Sequence, residues 1–111
     1  MNKILEQAQN IKNDIVEYRR TIHENPEVGD TLPKTKAYVI NKLREFGYEP
    51  TEICESGIVA TLEGNKSGKT FLLRADMDAL PMKENNECDF KAENGCMHSC
   101  GHDMHTAMLL G

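Results

Sequence analysis

Ten residues close to the C-terminal end, Cys96-Met97-His98-Ser99-Cys100-Gly101-His102-Asp103-Met104-His105, hold two thiols, three imidazoles and a carboxylate. No other stretch restricts the fold as much. Groups this polar enter an interior only with partners, and Gly101 between Cys100 and His102 gives the backbone the freedom for a tight turn. Asp103 to Leu110, DMHTAMLL, reads as the opening turns of a helix, so the cluster sits at a helix start.

Spacing leaves several readings open. The four cysteines, at positions 54, 88, 96 and 100, follow no secretory signal, so reduced thiols available for metal binding or catalysis are expected. A Cys96–Cys100 disulfide would leave the histidines unexplained. A nucleophilic Cys100 with a histidine base is a second reading, because the N-terminal dipole of the helix would favour the thiolate. A catalytic metal uses more of the residues: Cys100 and His102 flank Gly101 and can direct a thiolate and an imidazole at one ion. Asp103 is then free to cap the helix or to hold a ligand in place. A structural zinc site built from Cys96, Cys100, His102 and His105 leaves one residue between its ligand pairs, where such sites have longer loops. His23 reads as a plain helix-terminal histidine that suits the dipole, and Cys54 and Cys88 read as ordinary thiols.

Elsewhere hydrophobic periodicity sets the expectations. Ile4, Ala8, Ile11, Ile15, Tyr18 and Ile22 line one stripe of an amphipathic helix that Asn25-Pro26 stops. A second helix is predicted from Lys34 to Phe46, with Thr31 as cap, Pro33 in the first turn, Ala37, Ile40, Leu43 and Phe46 inward, and Gly47 as terminator. Ile58 to Leu62 and Thr70 to Ala75 read as two strands of a hairpin joined by Glu63 to Lys69, and Met77 to Gly95 as loop. GNKSGKT at 64–70 fails as a phosphate-binding loop, having three residues instead of four before its Gly-Lys pair and no helix after it. Asp76 and Asp78 leave the second strand on one side, where α/β proteins gather functional groups.

The 111 residues suffice for one small domain. A formal net charge of -5 provides no basic footprint for nucleic acid. No apolar run approaches a membrane span, and a cytoplasmic protein is expected.

Three segments together, RRTIHENPEVG at 19–29, LLRADMDALP at 72–81 and GCMHSCGHDMHTAMLLG at 95–111, resemble the amidohydrolase branch of the M20 metallopeptidases. That branch includes N-acyl-amino-acid amidohydrolases, hippurate hydrolases and auxin-conjugate hydrolases. The resemblance implies an α/β catalytic domain, a mixed sheet flanked by helices, of which residues 1–111 form the N-terminal portion. It also implies two divalent metal ions (zinc, manganese, cobalt or nickel), a small N-acyl amino acid or short peptide as substrate, and a full-length enzyme able to form a homo-oligomer. Carried over by position, Cys100 and His102 are metal ligands, and Asp78 is the aspartate that orients the ligand sphere. The family's general base, a glutamate in a Glu-Glu pair, and its further ligands follow later in sequence. The chain therefore reads as an N-terminal piece of a longer hydrolase, inactive alone and with apolar faces such as Met108 and Leu109 left open. A small non-catalytic zinc-binding module is the alternative from another class.

Overall fold

The computed structural model describes residues 2–111. Their elements are α1 (Asn2–Asn10), α2 (Lys12–Glu24), α3 (Pro33–Glu45), β1 (Thr51–Ile53), β2 (Gly57–Val59) and α4 (His102–Leu110). The predicted first helix is thus two, interrupted at Ile11, whose φ of -98° and ψ of 5° leave the helical basin. The apolar stripe continues through the break, but only its later part is used. α1 buries no side chain, whereas α2 buries Ile22 and His23.

α3 begins at Pro33, as expected for a proline in a first turn. Thr31 does not cap it. The carboxylate of Glu27 does so instead, accepting the backbone N–H groups of Lys34 at 3.1 Å and Thr35 at 2.6 Å. The inward row is also different from the predicted one: Leu32, Thr35 and Val39 are buried, Ile40 and Leu43 are half-buried, and Ala37 and Phe46 face solvent. Leu32, Thr35 and Val39 are spaced by three and four, so they form one helical row that starts on the residue before the helix. The threonine in the middle hid this row from hydrophobicity alone.

The predicted hairpin is corrected as well. β2 pairs antiparallel with β1, in the register Thr51↔Val59, Glu52↔Ile58 and Ile53↔Gly57, around the turn Cys54-Glu55-Ser56. This closes a shorter loop than pairing across Glu63 to Lys69 would, at a lower entropic cost. Thr70 to Ala75 forms no strand; Phe71, Leu72 and Leu73 are 83%, 89% and 75% exposed. Residues 64–70 lie in the same exposed segment with no helix after them, so the rejection of a phosphate loop stands.

A second, smaller pairing positions the site. Ala79 bridges Val28 in parallel, Leu80 bridges Met97 in antiparallel fashion, and three backbone hydrogen bonds of 2.7–3.0 Å hold these contacts. Residues 78–80 are thereby held between the end of α2 and the cysteine- and histidine-rich segment. α4 packs along α2, and a Cβ on Gly111 would run into the side chain of Ile15. The interior contains Ile22, Leu32, Val39, Ala79, Ala92 and Ala107, but also His23, Thr35, Glu84, His98, Asp103 and Thr106. So polar a centre requires internal hydrogen bonding. No helix is long and apolar enough to cross a membrane among the described residues.

Candidate metal centre

Gly101 precedes α4 with φ 94°, a left-handed conformation that an L side chain adopts only with strain. Its carbonyl accepts the N–H groups of Met104 at 3.1 Å and His105 at 3.0 Å, which starts the helix immediately after the turn. Cys100 and His102 therefore leave the backbone on either side of a sharp reversal, the first exposed and the second half-buried.

His102 is oriented by one residue. Its Nδ1 lies 2.9 Å from the main-chain oxygen of Asp78 and 3.0 Å from the Asp78 carboxylate. Both are acceptors, so Nδ1 carries the proton and Nε2 keeps its lone pair. That is the tautomer a metal-binding imidazole needs, with the second nitrogen held by a carboxylate and a carbonyl. Asp76 is directed elsewhere: its carboxylate accepts from Arg74 at 2.5 Å, and its carbonyl accepts from the Thr106 hydroxyl at 2.9 Å.

The chemistry of the donors, a solvent-accessible thiol and an imidazole fixed in the correct tautomer, fits a soft divalent metal. Among the described residues no three His, Cys, Asp or Glu side chains gather into a metal-holding group. The structural zinc site of Cys96, Cys100, His102 and His105 is accordingly not assembled. All four cysteines are free thiols, and the Cys96 N–H donates to the Asn94 side chain at 3.1 Å. The imidazole of His105 lies 6.0 Å from that of His102, centroid to centroid. His98 is buried with no hydrogen-bond partner on either ring nitrogen among the described residues, and burial lowers its pKa from the usual histidine value.

Behind the turn lies a charged network that the sequence did not announce. His23 lies between two carboxylates, its Nδ1 2.8 Å from Asp103 and its Nε2 2.8 Å from Glu84. Arg19 Nε donates to the same Asp103 oxygen at 2.8 Å. Glu84 also accepts the Ala92 N–H at 2.8 Å and the Asn86 side-chain amide at 3.1 Å. Burial would raise the Glu84 carboxyl, but the Ala92 N–H, His23 and Asn86 outweigh it and hold the pKa down to about 2. Burial opposes ionisation of Asp103 too; His23, Arg19 and the Met104 N–H overcome it and keep that carboxyl below its ordinary range. His23 is thus no plain helix-end residue, and Glu84 is no solvated loop carboxylate. The two partners of His23 lie 80 and 61 residues away in sequence, a separation that no local spacing encodes.

Residues 72–111 match the family model of peptidase family M20/M25/M40. The whole chain is 44% identical to thermostable carboxypeptidase 2 of Saccharolobus solfataricus, spanning 29% of that protein. It is 43% identical over 91% of its length to the N-acyl-L-amino acid amidohydrolase of Geobacillus stearothermophilus, and spans 28% of it. Similarity to the hippurate hydrolase of Campylobacter jejuni is 41% identity over 96% of this chain and 28% of that protein. The structure superposes on Bacillus subtilis YxeP, described as a dinuclear metal-binding peptidase of the M20 family, with TM-score 0.86 and 31% identity. That match covers 92% of this chain and 29% of YxeP. The chain belongs to the M20 peptidase family. Its α/β architecture is that of the corresponding part of YxeP, and it also superposes on an aminohydrolase structure from Staphylococcus aureus with TM-score 0.91 and 35% identity, over 99% of this chain and 30% of that one. The chain spans less than a third of these M20 relatives' length.

Proposed function

We propose that residues 1–111 are the N-terminal portion of an M20 catalytic domain in a metal-dependent amidohydrolase that cleaves the amide bond of N-acyl amino acids. The observation that carries this reading is the His102–Asp78 contact, which occupies His102 Nδ1 and leaves Nε2 as the nitrogen for a metal, two residues from Cys100. The family membership and the similarity to an N-acyl-amino-acid amidohydrolase and a hippurate hydrolase support the substrate class.

In this reading Cys100 and His102 hold metal, and Asp78 holds His102. Two divalent ions are proposed, drawn from zinc, manganese, cobalt and nickel, with the thiolate favouring softer ions such as zinc over magnesium. Bound metal supplies Lewis-acid polarisation of the amide carbonyl and a more acidic water. Asp78 keeps the imidazole from rotating and keeps its proton on Nδ1, so no ligand has to be reorganised during turnover. The further ligands and the general base come from other parts of the protein, which we place in the cytoplasm.

The full-length protein, loaded with Zn²⁺, Mn²⁺, Co²⁺ or Ni²⁺, should release free amino acid from N-acetyl- and N-benzoyl-amino acids. A chelator should stop the release and added metal restore it. Cys100→Ala should lose metal and activity together; full retention of both removes Cys100 from the ligand set.

A further inference from the structure

The Cys100-Gly101-His102 turn is anchored from two sides. Asp78 holds the His102 ring, and a separate contact holds the backbone of the turn through Asp103, the residue that follows His102. Asp103 lies in the first turn of α4 and is 1% exposed. Its carboxylate crosses to α2, where Arg19 and His23 both reach the same oxygen at 2.8 Å.

Continuity beyond that contact distinguishes a chain from an isolated pair. Each nitrogen of His23 faces a carboxylate, Nδ1 that of Asp103 and Nε2 that of Glu84, so one ring ties the two acidic side chains together. Glu84, 1% exposed, is fixed at its far end by the Ala92 N–H and the Asn86 amide. Phe90 covers the assembly: its ring centroid lies 5.5 Å from that of His23 in an edge-on arrangement, and 5.1 Å from the Arg19 guanidinium carbon. Charges so enclosed are rarely more stabilising than apolar side chains of the same volume, while their hydrogen bonds are directional. What such a network supplies is a fixed rotation of α4 about its own axis.

We propose that Glu84, His23 and Asp103 form a buried positioning chain that fixes the Cys100-Gly101-His102 turn and sets how its two metal donors are presented. The inference rests on the metal reading above for its functional consequence. His23, Glu84 and Asp103 are positioning residues: none of them touches substrate or metal in this scheme. Arg19, with its side chain 31% exposed, is the outer end of the chain and is bonded to Asp103.

The test uses the full-length protein with Co²⁺ as probe, read by the thiolate-to-cobalt absorption band, together with amide hydrogen exchange at Met104 and His105. Those two amides donate to the Gly101 carbonyl and report on the turn without any metal. His23→Gln should weaken Co²⁺ binding by about 10-fold or more, shift the band and speed exchange at both amides. Glu84→Gln, which keeps the shape and loses the charge, is the milder variant should His23→Gln not fold, and should move all three readouts in the same direction. Val39→Ala, which loosens α3 at a distance from the chain, should leave Co²⁺ affinity unchanged. Wild-type Co²⁺ binding with unchanged affinity and exchange in folded His23→Gln and Glu84→Gln overturns the positioning chain and leaves the metal reading intact. Faster exchange in the variants of a wild-type protein that binds no Co²⁺ overturns the metal reading and upholds the chain as the anchor of the turn.

Discussion

His102 gives one ring proton to two oxygens of a single residue: its Nδ1 lies 2.9 Å from the Asp78 carbonyl and 3.0 Å from the Asp78 carboxylate. The carbonyl is fixed because Ala79 and Leu80 are bridged on either side to Val28 and Met97. The carboxylate adds charge to the same hydrogen bond. A side chain and a backbone therefore act on one nitrogen, and substitution of Asp78 removes only the first.

Asp78→Asn should consequently weaken the site without dismantling it. The main-chain oxygen still orients the ring, but an amide neither raises ligand basicity as a carboxylate does nor reliably presents an acceptor. Turnover of an N-acyl amino acid by the full-length protein should fall about 10- to 100-fold, with a smaller change in KM. Steady-state kinetics beside a metal titration checks this. Normal turnover would assign Asp78 to the loop alone.

Gly101→Ala should act through the backbone. At φ 94° an alanine is strained by about 1–2 kcal/mol. Space is not the obstacle, since the nearest atom to an added Cβ is His105 Nε2 at 3.9 Å, an ordinary contact. Relief of the strain would turn Cys100 away from His102. A chemical-denaturation curve should show the loss in stability, and a metal titration should show weaker binding; unchanged values in both would mean that the turn relaxes freely.

Acid sensitivity follows from Glu84. Its carboxyl is held down to about 2 in the fold against 4.5 for a free glutamate, so the unfolded chain takes up the proton first as pH falls. The stability it contributes is complete above about pH 4.5 and is lost progressively as pH drops toward 2. Asp103, also depressed, adds to the slope in the same direction. Thermal melts between pH 6 and 2 should show a falling Tm in that window, and Glu84→Gln should flatten it. An identical slope in the variant would show that Glu84 carries none of it.

The parts of this site that sequence made legible are those encoded locally. A glycine between Cys100 and His102 reports a turn, and Pro33 reports a helix start. Three motifs in order carried the family. What stayed hidden depends on distant partners. Glu84 lies among charged and amide residues with no periodicity, and its burial as an anion depends on the distant His23 of α2 as well as on the Ala92 N–H and the Asn86 amide. Glu27 displaced Thr31 as the cap of α3 because a carboxylate six residues before Pro33 folds back on the helix, which no capping pattern at fixed spacing contains. The strand expected over Thr70 to Ala75 had apolar content but no pairing partner among the described residues. Composition predicts which runs can be strands; hydrogen-bonding neighbours decide which are.

Residues 1–111 prepared alone should bind metal weakly and hydrolyse no N-acyl amino acid. Cys100 and His102 fill about half of a tetrahedral shell, whereas catalytic sites of this kind use three protein ligands and a positioned base. Among the described residues no third His, Cys, Asp or Glu joins them. Phe71, Leu72 and Leu73 are at least 75% exposed, and Met108 and Leu109 are 57% and 44% exposed, so the isolated segment should also self-associate. Equilibrium dialysis should find chelator-labile metal that disappears in Cys100→Ala, and light scattering should find aggregates at micromolar concentration. Metal-dependent hydrolysis by the purified segment, absent in Cys100→Ala and therefore not a contaminant, would mean that the catalytic base and a third ligand lie within these 111 residues.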